Sequence, residues 1–345
     1  MNKKILIFGA GSIGNHMAFA NIKLRNKVFI TDINFSNLKR MKNSIFPSRY
    51  GKWNSKISLI NYKKVFDNSK YDLIIIGTPP KTHLEILQKI ENSNIGYEKI
   101  LIEKPLYSYK EKSLLLKKIN RKNIYVGYNH SVSLSFSYLM KILQKNKSDI
   151  KNIMIDWKEG FEGILGAHNW LKNEFESYLG FSKNGGGAIQ EHSHGLHLSH
   201  VIMKELNYKI NKMAYYKQFY NNDKNLYDNL SIVIFKNKKI NLKFETDLIT
   251  YPPKKQITVI LKDKKIIWTN NYKKNLDSVL IRSKNNKDKI KLFEKTRSSE
   301  FENEISYILL HSNKKNYHNS RLNIPYGIKV MDTIKKFFYD KKNSI

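Results

Sequence analysis

Along the first 128 residues, hydrophobic positions fall in short runs separated by amphipathic stretches. The runs lie at 3–8 (KKILIF), 27–31 (KVFIT), 57–60 (ISLI), 72–76 (DLIII), 98–102 (EKILI) and 124–127 (IYVG). Several are continuously apolar, which suits parallel strands covered on both faces. The stretches between them, near 12–25, 35–43, 82–93 and 109–119, carry helical spacing. This alternation predicts a doubly wound parallel sheet.

Past residue 150 the pattern changes. A strand at 150–157 leads into a polar, aromatic loop, a glycine-rich turn and a histidine-rich helix. From 206 to 293, strand follows strand: 208–219, 228–236, 239–247, 255–262 and 264–270, with a weaker pair after 278. Turn signals such as YNND and KNKK separate them. Two helices, near 299–311 and 324–339, follow. The expected fold class is α/β plus α+β, the second part an open, mainly antiparallel sheet. The expected domains are 1–128, 129–322 with the open sheet, and a C-terminal helix within 323–345 packing back on the first domain.

Composition narrows the functions. A length of 345 residues exceeds what one core usually covers, in keeping with two domains. The absence of cysteine excludes disulfides and thiolate chemistry. The formal charge of +33 invites a nucleic-acid reading, but it comes from 55 lysines and only 7 arginines, and no arginine lies between Arg121 and Arg282. The lysines are spread along the whole chain, and surfaces that read nucleic acids lean on arginine. The charge is therefore read as attraction for anionic substrates over about 8–10 Å, with no specific nucleic-acid partner. Apolar runs such as 73–77 are too short to span a bilayer. The first segment reads as a strand rather than a signal peptide, so a cytoplasmic protein is expected.

The most informative motif is IFGAGSIG at 7–14, which fits G-x-G-x-x-G with Gly9, Gly11 and Gly14. The first glycine permits a tight turn and the second lets a pyrophosphate approach the backbone. The third lets helix and strand pack closely, and Ser12 and Ile13 open the helix whose N-terminus faces the phosphates. Asp32 ends the next strand, where a carboxylate can bind a ribose 2′-hydroxyl. It favours NAD, because it would repel a 2′-phosphate. Lys39 and Arg40 nearby keep NADP as the alternative.

Three further motifs follow strands four to six: GTPPKTH (77–83), LIEKP (101–105) and VGYNH (126–130). Their order and spacing resemble the glucose–fructose oxidoreductase/inositol dehydrogenase (Gfo/Idh/MocA) family. The resemblance is strong over 1–130, good at 185–200 and a matter of general pattern beyond 205. It implies an N-terminal Rossmann domain and a role for Lys104 beside the nicotinamide and the reacting sugar carbon. Lys104 would hydrogen-bond the substrate oxygen and stabilise its developing charge. A cis peptide before Pro105 is a further family expectation. The resemblance also implies that Thr78, Pro79 and His83 line the cofactor. Glu103 would meet the nicotinamide ribose, and Asn129 would lie on the floor.

GGGAIQEHSHGLHLSH at 185–200 packs four histidines and one glutamate into ten positions. On a regular helix Glu191, His194 and His197 share a face, about 60° apart in succession. His192 and His200 lie about 160° and 120° from His194. No four-histidine metal site is compatible with that geometry; a three-ligand Glu191–His194–His197 site is geometrically conceivable, but its i,i+3 spacing is less typical than the i,i+4 pair of His-Glu-x-x-His, and no metal is expected. The family resemblance makes His194 and Glu191 the catalytic pair on this helix, with Lys104, and gives His197 the place of a second acid at the substrate. In members whose acid lies four positions before the histidine, the matching residue is Gln190, which cannot transfer a proton. Which of Gln190 and Glu191 takes the acid position stays open here.

The stretch at 166–187 places His168 and Trp170 ahead of the glycines. It resembles a His-Pro-Trp segment of family members from surface-glycan pathways, with Asn169 in place of the proline. Aromatic faces there suit the C–H surface of a sugar. The combined expectation is an NAD(P)-dependent oxidoreductase of a sugar or sugar derivative, free or nucleotide-linked, forming a homodimer or homotetramer through the antiparallel sheet. A catalytically inactive nucleotide-binding sensor or partner protein of the same fold is the alternative.

Overall fold

The computed structural model describes residues 2–111, 116, 123–168, 170–222, 225–283, 287–310 and 314–340. Most of the helix expected at 109–119, and Asn169, lie outside the described residues. The first sheet contains β1 (Lys4–Phe8), β2 (Lys27–Thr31), β3 (Ile57–Leu59), β4 (Lys70–Ile76), β5 (Gly96–Ile102) and β6 (Ile124–Val126). Its order is β3-β2-β1-β4-β5-β6 and all its pairings are parallel. The strand order reverses beside β1, the position where open α/β sheets bind ligands beyond the strand ends. Ile5–Ile7 and Leu73–Ile76 are buried without interruption, as a sheet covered on both faces requires.

The second sheet contains β7 (Ile150–Lys158), β8 (Lys212–Asn222), β9 (Asn225–Lys236), β10 (Asn241–Asp247), β11 (Lys254–Leu261), β12 (Lys264–Lys273), β13 (Leu276–Ser283) and β14 (Lys289–Glu294). It runs β14-β13-β12-β11-β7-β10-β9-β8. All neighbours are antiparallel except β7 and β10. On β7, Ile153, Ile155 and Trp157 are buried, and the residues between them turn to the opposite face. The buried face takes the helix Ser193–Glu205. Gly195 lets it approach closely, since a Cβ there would lie 2.5 Å from the Phe244 ring and 2.8 Å from Trp157 Cβ. On the opposite face, Lys158 pairs with Glu245 and Lys254 with Asp156.

The chain divides into two compact units that differ from the expected boundaries. The first comprises Met1–Tyr107, Glu111–Asn129 and Arg297–Pro325; the second comprises Ser108–Lys110, His130–Thr296 and Tyr326–Ile345. The helix Arg297–Leu310, expected with the open sheet, instead packs on the first unit. Phe301 stacks on His16 at 5.2 Å, and Lys99 Nζ donates to the carbonyls of Ile308 and Leu309. Tyr317 donates to Ile124 O, and Leu322 O accepts from Val126, so this segment covers the edge strand β6. The last helix, Ile324–Tyr339, was expected on the Rossmann domain; from Tyr326 onward it belongs to the open-sheet unit instead. Its buried stripe of Val330, Met331, Ile334 and Phe337 meets apolar residues there, Tyr215 among them at 6.2 Å from Phe337. Among the described residues, no helix is long and apolar enough to cross a membrane.

Candidate active site

In the first unit the glycine-rich turn is held by its own geometry. Gly9 has φ +105°, and a Cβ there would lie 2.7 Å from Gly77 O. A Cβ on Gly14 would lie 2.0 Å from Gly9 O, so only glycine lets the helix Ser12–Lys23 start this close to the turn. Gly11 is different: a Cβ there would meet no atom within 4 Å. The space over Gly11 is open, directly before the N-terminus of a helix that no side chain caps. Arg49 Nη1 reaches the first residue of that helix, 3.0 Å from Ser12 Oγ. Burial holds the Arg49 guanidinium below its ordinary pKa.

Asp32 stands at the end of β2. Its Oδ2 accepts from Ala10 N at 2.9 Å, and its Oδ1 accepts from Asn34 N at 2.9 Å and Asn37 Nδ2 at 3.0 Å. A carboxylate has about four acceptor positions, so one remains at Oδ2. Arg40 donates to Asn37 Oδ1 at 3.0 Å.

The loop after β4 is pinned from behind. Thr78 Oγ1 accepts from Thr82 Oγ1 at 2.8 Å. His83 is fully buried, with Nε2 2.7 Å from Thr78 O and Nδ1 3.2 Å from Leu106 O. Burial pushes the imidazole down to about 4, so it is neutral. His83 was expected to line the cofactor; it is fully buried instead and ties this loop to the one after Pro105. Pro79, four residues before His83, is exposed.

After β5, Glu103 is buried, and Gly127 leaves room for it: a Cβ there would lie 2.7 Å from Glu103 Oε1. Its charge acts on Glu304, a fully buried residue of the helix Arg297–Leu310. Burial, and then the Glu103 charge, hold the Glu304 carboxyl well above the usual carboxylate range. Lys104 is half-buried and the Lys104–Pro105 peptide is cis. Asn129 is buried, and its Oδ1 has no hydrogen-bond partner among the described residues.

In the second unit, the glycines at 185–187 make a turn closed to any other residue. Gly185 and Gly187 have φ +106° and +86°. A Cβ on Gly186 would lie 2.2 Å from the carbonyl oxygens of Tyr178 and Leu179, and one on Gly187 would lie 2.1 Å from Asp228 Oδ1. Asp228 is fully buried; it accepts from Ile189 N at 2.7 Å and Ser231 Oγ at 2.6 Å, and burial pushes its carboxyl up to about 6. Gln190 is wholly consumed. Its amide donates to Ser182 O at 2.7 Å and Gly186 O at 2.8 Å, and its Oε1 accepts from Tyr109 N at 3.0 Å.

The histidine segment is not one regular helix. Ala188–Glu191 and Ser193–Glu205 are separate, with a break at His192 (φ −95°, ψ 23°). Glu191 and His194 are partly open, whereas His192, His197 and His200 are 4%, 0% and 7% exposed. His197 was expected at the substrate beside His194. It is fully buried instead, and the Tyr326 ring packs on it at 5.6 Å. His192 Nε2 lies 3.1 Å from Glu159 O, and His200 Nε2 lies 2.9 Å from Thr333 Oγ1. Burial pushes His200 down to about 3.

His194 meets the edge of His130 at a centroid distance of 4.6 Å, with Trp157 at 5.9 Å. Tyr178 OH donates to Glu191 Oε2 at 3.4 Å, which brings the 166–187 stretch to the helix acid. In that stretch His168 and Trp170 are partly exposed, their rings 5.3 Å apart, and His168 Nδ1 lies 2.7 Å from Ile164 O. Among the described residues, no group of three or more histidines and carboxylates could hold a metal ion.

Residues 3–130 match the sequence profile described as GFO_IDH_MocA, oxidoreductase family, NAD-binding Rossmann fold. Over these residues the chain is similar to the Gfo/Idh/MocA family. No curated protein sequence matches the chain. Solved structures do. An inositol dehydrogenase homolog from Azotobacter vinelandii, complexed with NAD+, is similar at TM-score 0.74 and 13% identity, over 97% of this chain and 94% of that one. UDP-N-acetylglucosamine 3-dehydrogenase GnnA from Acidithiobacillus ferrooxidans has TM-score 0.68 and 12% identity, over 98% and 97%. A levoglucosan dehydrogenase in complex with NADH and levoglucosan has TM-score 0.70 and 12% identity, over 98% and 97%. These likenesses establish the fold.

The matched region fits a dinucleotide. The open space over Gly11, the uncapped helix start and the remaining acceptor of Asp32 are what a pyrophosphate and a ribose hydroxyl need. The motifs of this domain lie in contiguous sequence and were legible there. Arg49, Glu304, Asn270 and Asp277 were not, since each gains its neighbour only through folding. His130 closes the VGYNH motif, so its position was visible but its contact with His194 was not.

Proposed function

We propose that the protein is an NAD-dependent dehydrogenase acting on a CH–OH group of a sugar or sugar derivative, free or nucleotide-linked. One observation carries this reading. Of the polar cluster at 190–200, Glu191 and His194 stay open while Gln190 and the other three histidines are buried. The names of similar structures, which specify inositol, UDP-N-acetylglucosamine and levoglucosan, support the substrate class.

Gly9, Gly11, Ser12, Ile13 and Gly14 hold the pyrophosphate at the helix start, with Arg49 adding a cation beside Ser12. Asp32 takes a ribose hydroxyl and disfavours the 2′-phosphate of NADP. Thr78, Pro79 and Asn129 line the nicotinamide side, with Glu103 at the ribose and His83 behind the loop. NAD, when bound, supplies the hydride acceptor at nicotinamide C4. In oxidation the neutral His194 ring takes the hydroxyl proton as hydride leaves the same carbon, and in reduction it returns that proton. Lys104 donates a hydrogen bond to the substrate oxygen throughout, and Glu191 steadies protonated His194. His168 and Trp170 receive the sugar, the indole face against its C–H surface. The open sheet face pairs copies into a homodimer or homotetramer.

The test is a spectrophotometric assay of NAD+ and NADP+ reduction with a panel of free and nucleotide-linked sugars, alongside the corresponding keto-sugars with NADH. Turnover of one class, faster with NAD+, is expected. Absence of turnover with the whole panel, despite tight NADH binding, overturns the dehydrogenase reading in favour of an inactive sensor.

A further inference from the structure

A buried polar chain runs behind His194, on elements remote from one another in sequence. His130 is buried between His194, at 4.6 Å between ring centroids, and Trp157 of β7, at 5.0 Å. The Nδ1 of His130 lies 3.4 Å from Asn270 Nδ2 on β12. That same amide nitrogen lies 3.2 Å from Asp277 Oδ1 on β13. Asp277 is itself buried and held by donors on every side. Lys295 Nζ lies 2.8 Å from its Oδ1, Asn271 N donates to Oδ1 at 3.0 Å, and Ser135 Oγ donates to Oδ2 at 2.6 Å.

The chemistry of this chain has one consistent solution. A carboxylate paired with a lysine only accepts hydrogen bonds. The Asn270 group facing it must therefore be the NH₂, because the reversed amide would set its carbonyl oxygen against carboxylate oxygen. The same NH₂ then presents its second hydrogen to His130 Nδ1. A ring nitrogen that accepts a hydrogen bond carries no proton, so the proton of His130 sits on Nε2. Protonating Nδ1 would set two donors against each other in a buried place.

We propose that Asp277, acting through Asn270, locks His130 as the neutral Nε2–H tautomer and leaves His194 as the one imidazole of the pair that gains a proton. This rests on the reading of His194 as the proton acceptor. His130, Asn270 and Asp277 are positioning residues. They keep a second positive charge from forming beside His194 when it becomes an imidazolium. Two adjacent imidazoles without such a lock would share their protons in coupled steps. Trp157 packs on His130 with a ring that cannot titrate.

The direct test uses the full wild-type chain labelled with ¹⁵N-histidine. Long-range ¹H–¹⁵N correlation spectra report the tautomer of each ring, and His130→Gln identifies the His130 signals. The expected spectrum gives His130 an unprotonated Nδ1 and a protonated Nε2 throughout about pH 5 to 8, the range in which free histidine changes charge. In Asp277→Asn the amide of Asn270 is no longer constrained. His130 should then titrate within that range, and the acid limb of the kcat profile should change from a one-proton to a two-proton slope, with NADH affinity unchanged. His130 found as the Nδ1–H tautomer or as imidazolium in the wild type overturns the proposal. So does an unaltered His130 spectrum in a folded Asp277→Asn protein. The spectra do not require turnover, so inactivity toward every sugar overturns the dehydrogenase reading while the tautomer decides the lock.

Discussion

The carboxylate of Asp32 accepts the backbone N–H of Ala10 at 2.9 Å, tying the end of β2 to the glycine-rich turn after β1. One side chain thus shapes the phosphate turn and offers a ribose acceptor. Asp32→Ala removes both, and hydrogen bonds to a charged group contribute about 1.5–3 kcal/mol each. NADH affinity should fall by about 10- to 100-fold. NADPH affinity should fall less, because the repulsion of its 2′-phosphate disappears as well. Titration of both cofactors against Trp fluorescence checks this; an unchanged preference for NADH in the variant contradicts it.

Lys104 lies at the end of β5, half-buried, on the carboxyl side of the sheet where the glycine-rich turn also lies. Lys104→Met keeps an unbranched stem of nearly the same length and removes the ammonium group. Turnover should be lost, by about 10²-fold or more, as for other groups that stabilise charge on a reacting oxygen. NADH binding should stay within about threefold of wild type, a difference below 1 kcal/mol. Stopped turnover together with lost NADH binding would instead make Lys104 a cofactor ligand.

His194 and His200 stand on one helix with opposite surroundings, one partly open and the other buried against Thr333 and Phe235. His194→Ala should lower kcat by about 10²–10⁴-fold, the range of a lost general base, with Tm little changed. His200→Ala should do the reverse, because it forfeits a hydrogen bond of about 1 kcal/mol and opens a gap beneath the sheet. Activity should survive EDTA. A chelator that abolishes turnover, with one divalent ion restoring it, would put a metal where the imidazole is placed here.

Glu304 sets a pH dependence of stability. Its carboxyl is buried near Glu103 and holds its proton well above the usual range. In the window between its ordinary value of 4.5 and that raised value, the folded chain keeps a proton that the unfolded chain has released. Stability therefore falls as pH rises through the window. His200 acts with the opposite sign: its folded value of about 3 lies below the ordinary 6.5, so it costs stability as pH falls below 6.5. Thermal unfolding across this range should show Glu304→Gln losing the alkaline decline while keeping the acid one. Equal alkaline slopes in the two proteins would mean that Glu304 is ionised in the fold.

What the sequence determined by itself is what depends on neighbouring residues. The turn at Gly9–Gly14 follows from local backbone freedom, so G-x-G-x-x-G after an apolar run was sufficient to place it. The parallel sheet followed from uninterrupted apolar strands, and the open sheet from alternation such as that of β7. Position on a helix also separated His194 from His192 and His200, but it could not show that His197 is buried. Its burial came with Tyr326, more than a hundred residues away, which no helical angle encodes. Gln190 and Glu191 were equivalent as letters; only the carbonyls of Ser182 and Gly186 and the N–H of Tyr109 decided that Gln190 is buried and used up. The tertiary structure likewise moved the helix at 297–310 onto the Rossmann unit, where His16 and Lys99 receive it. It also brought Glu304 near Glu103, and Asn270 and Asp277 behind His130. Burial and charge coupling are properties of a residue's surroundings, and those surroundings come from segments far apart in the chain.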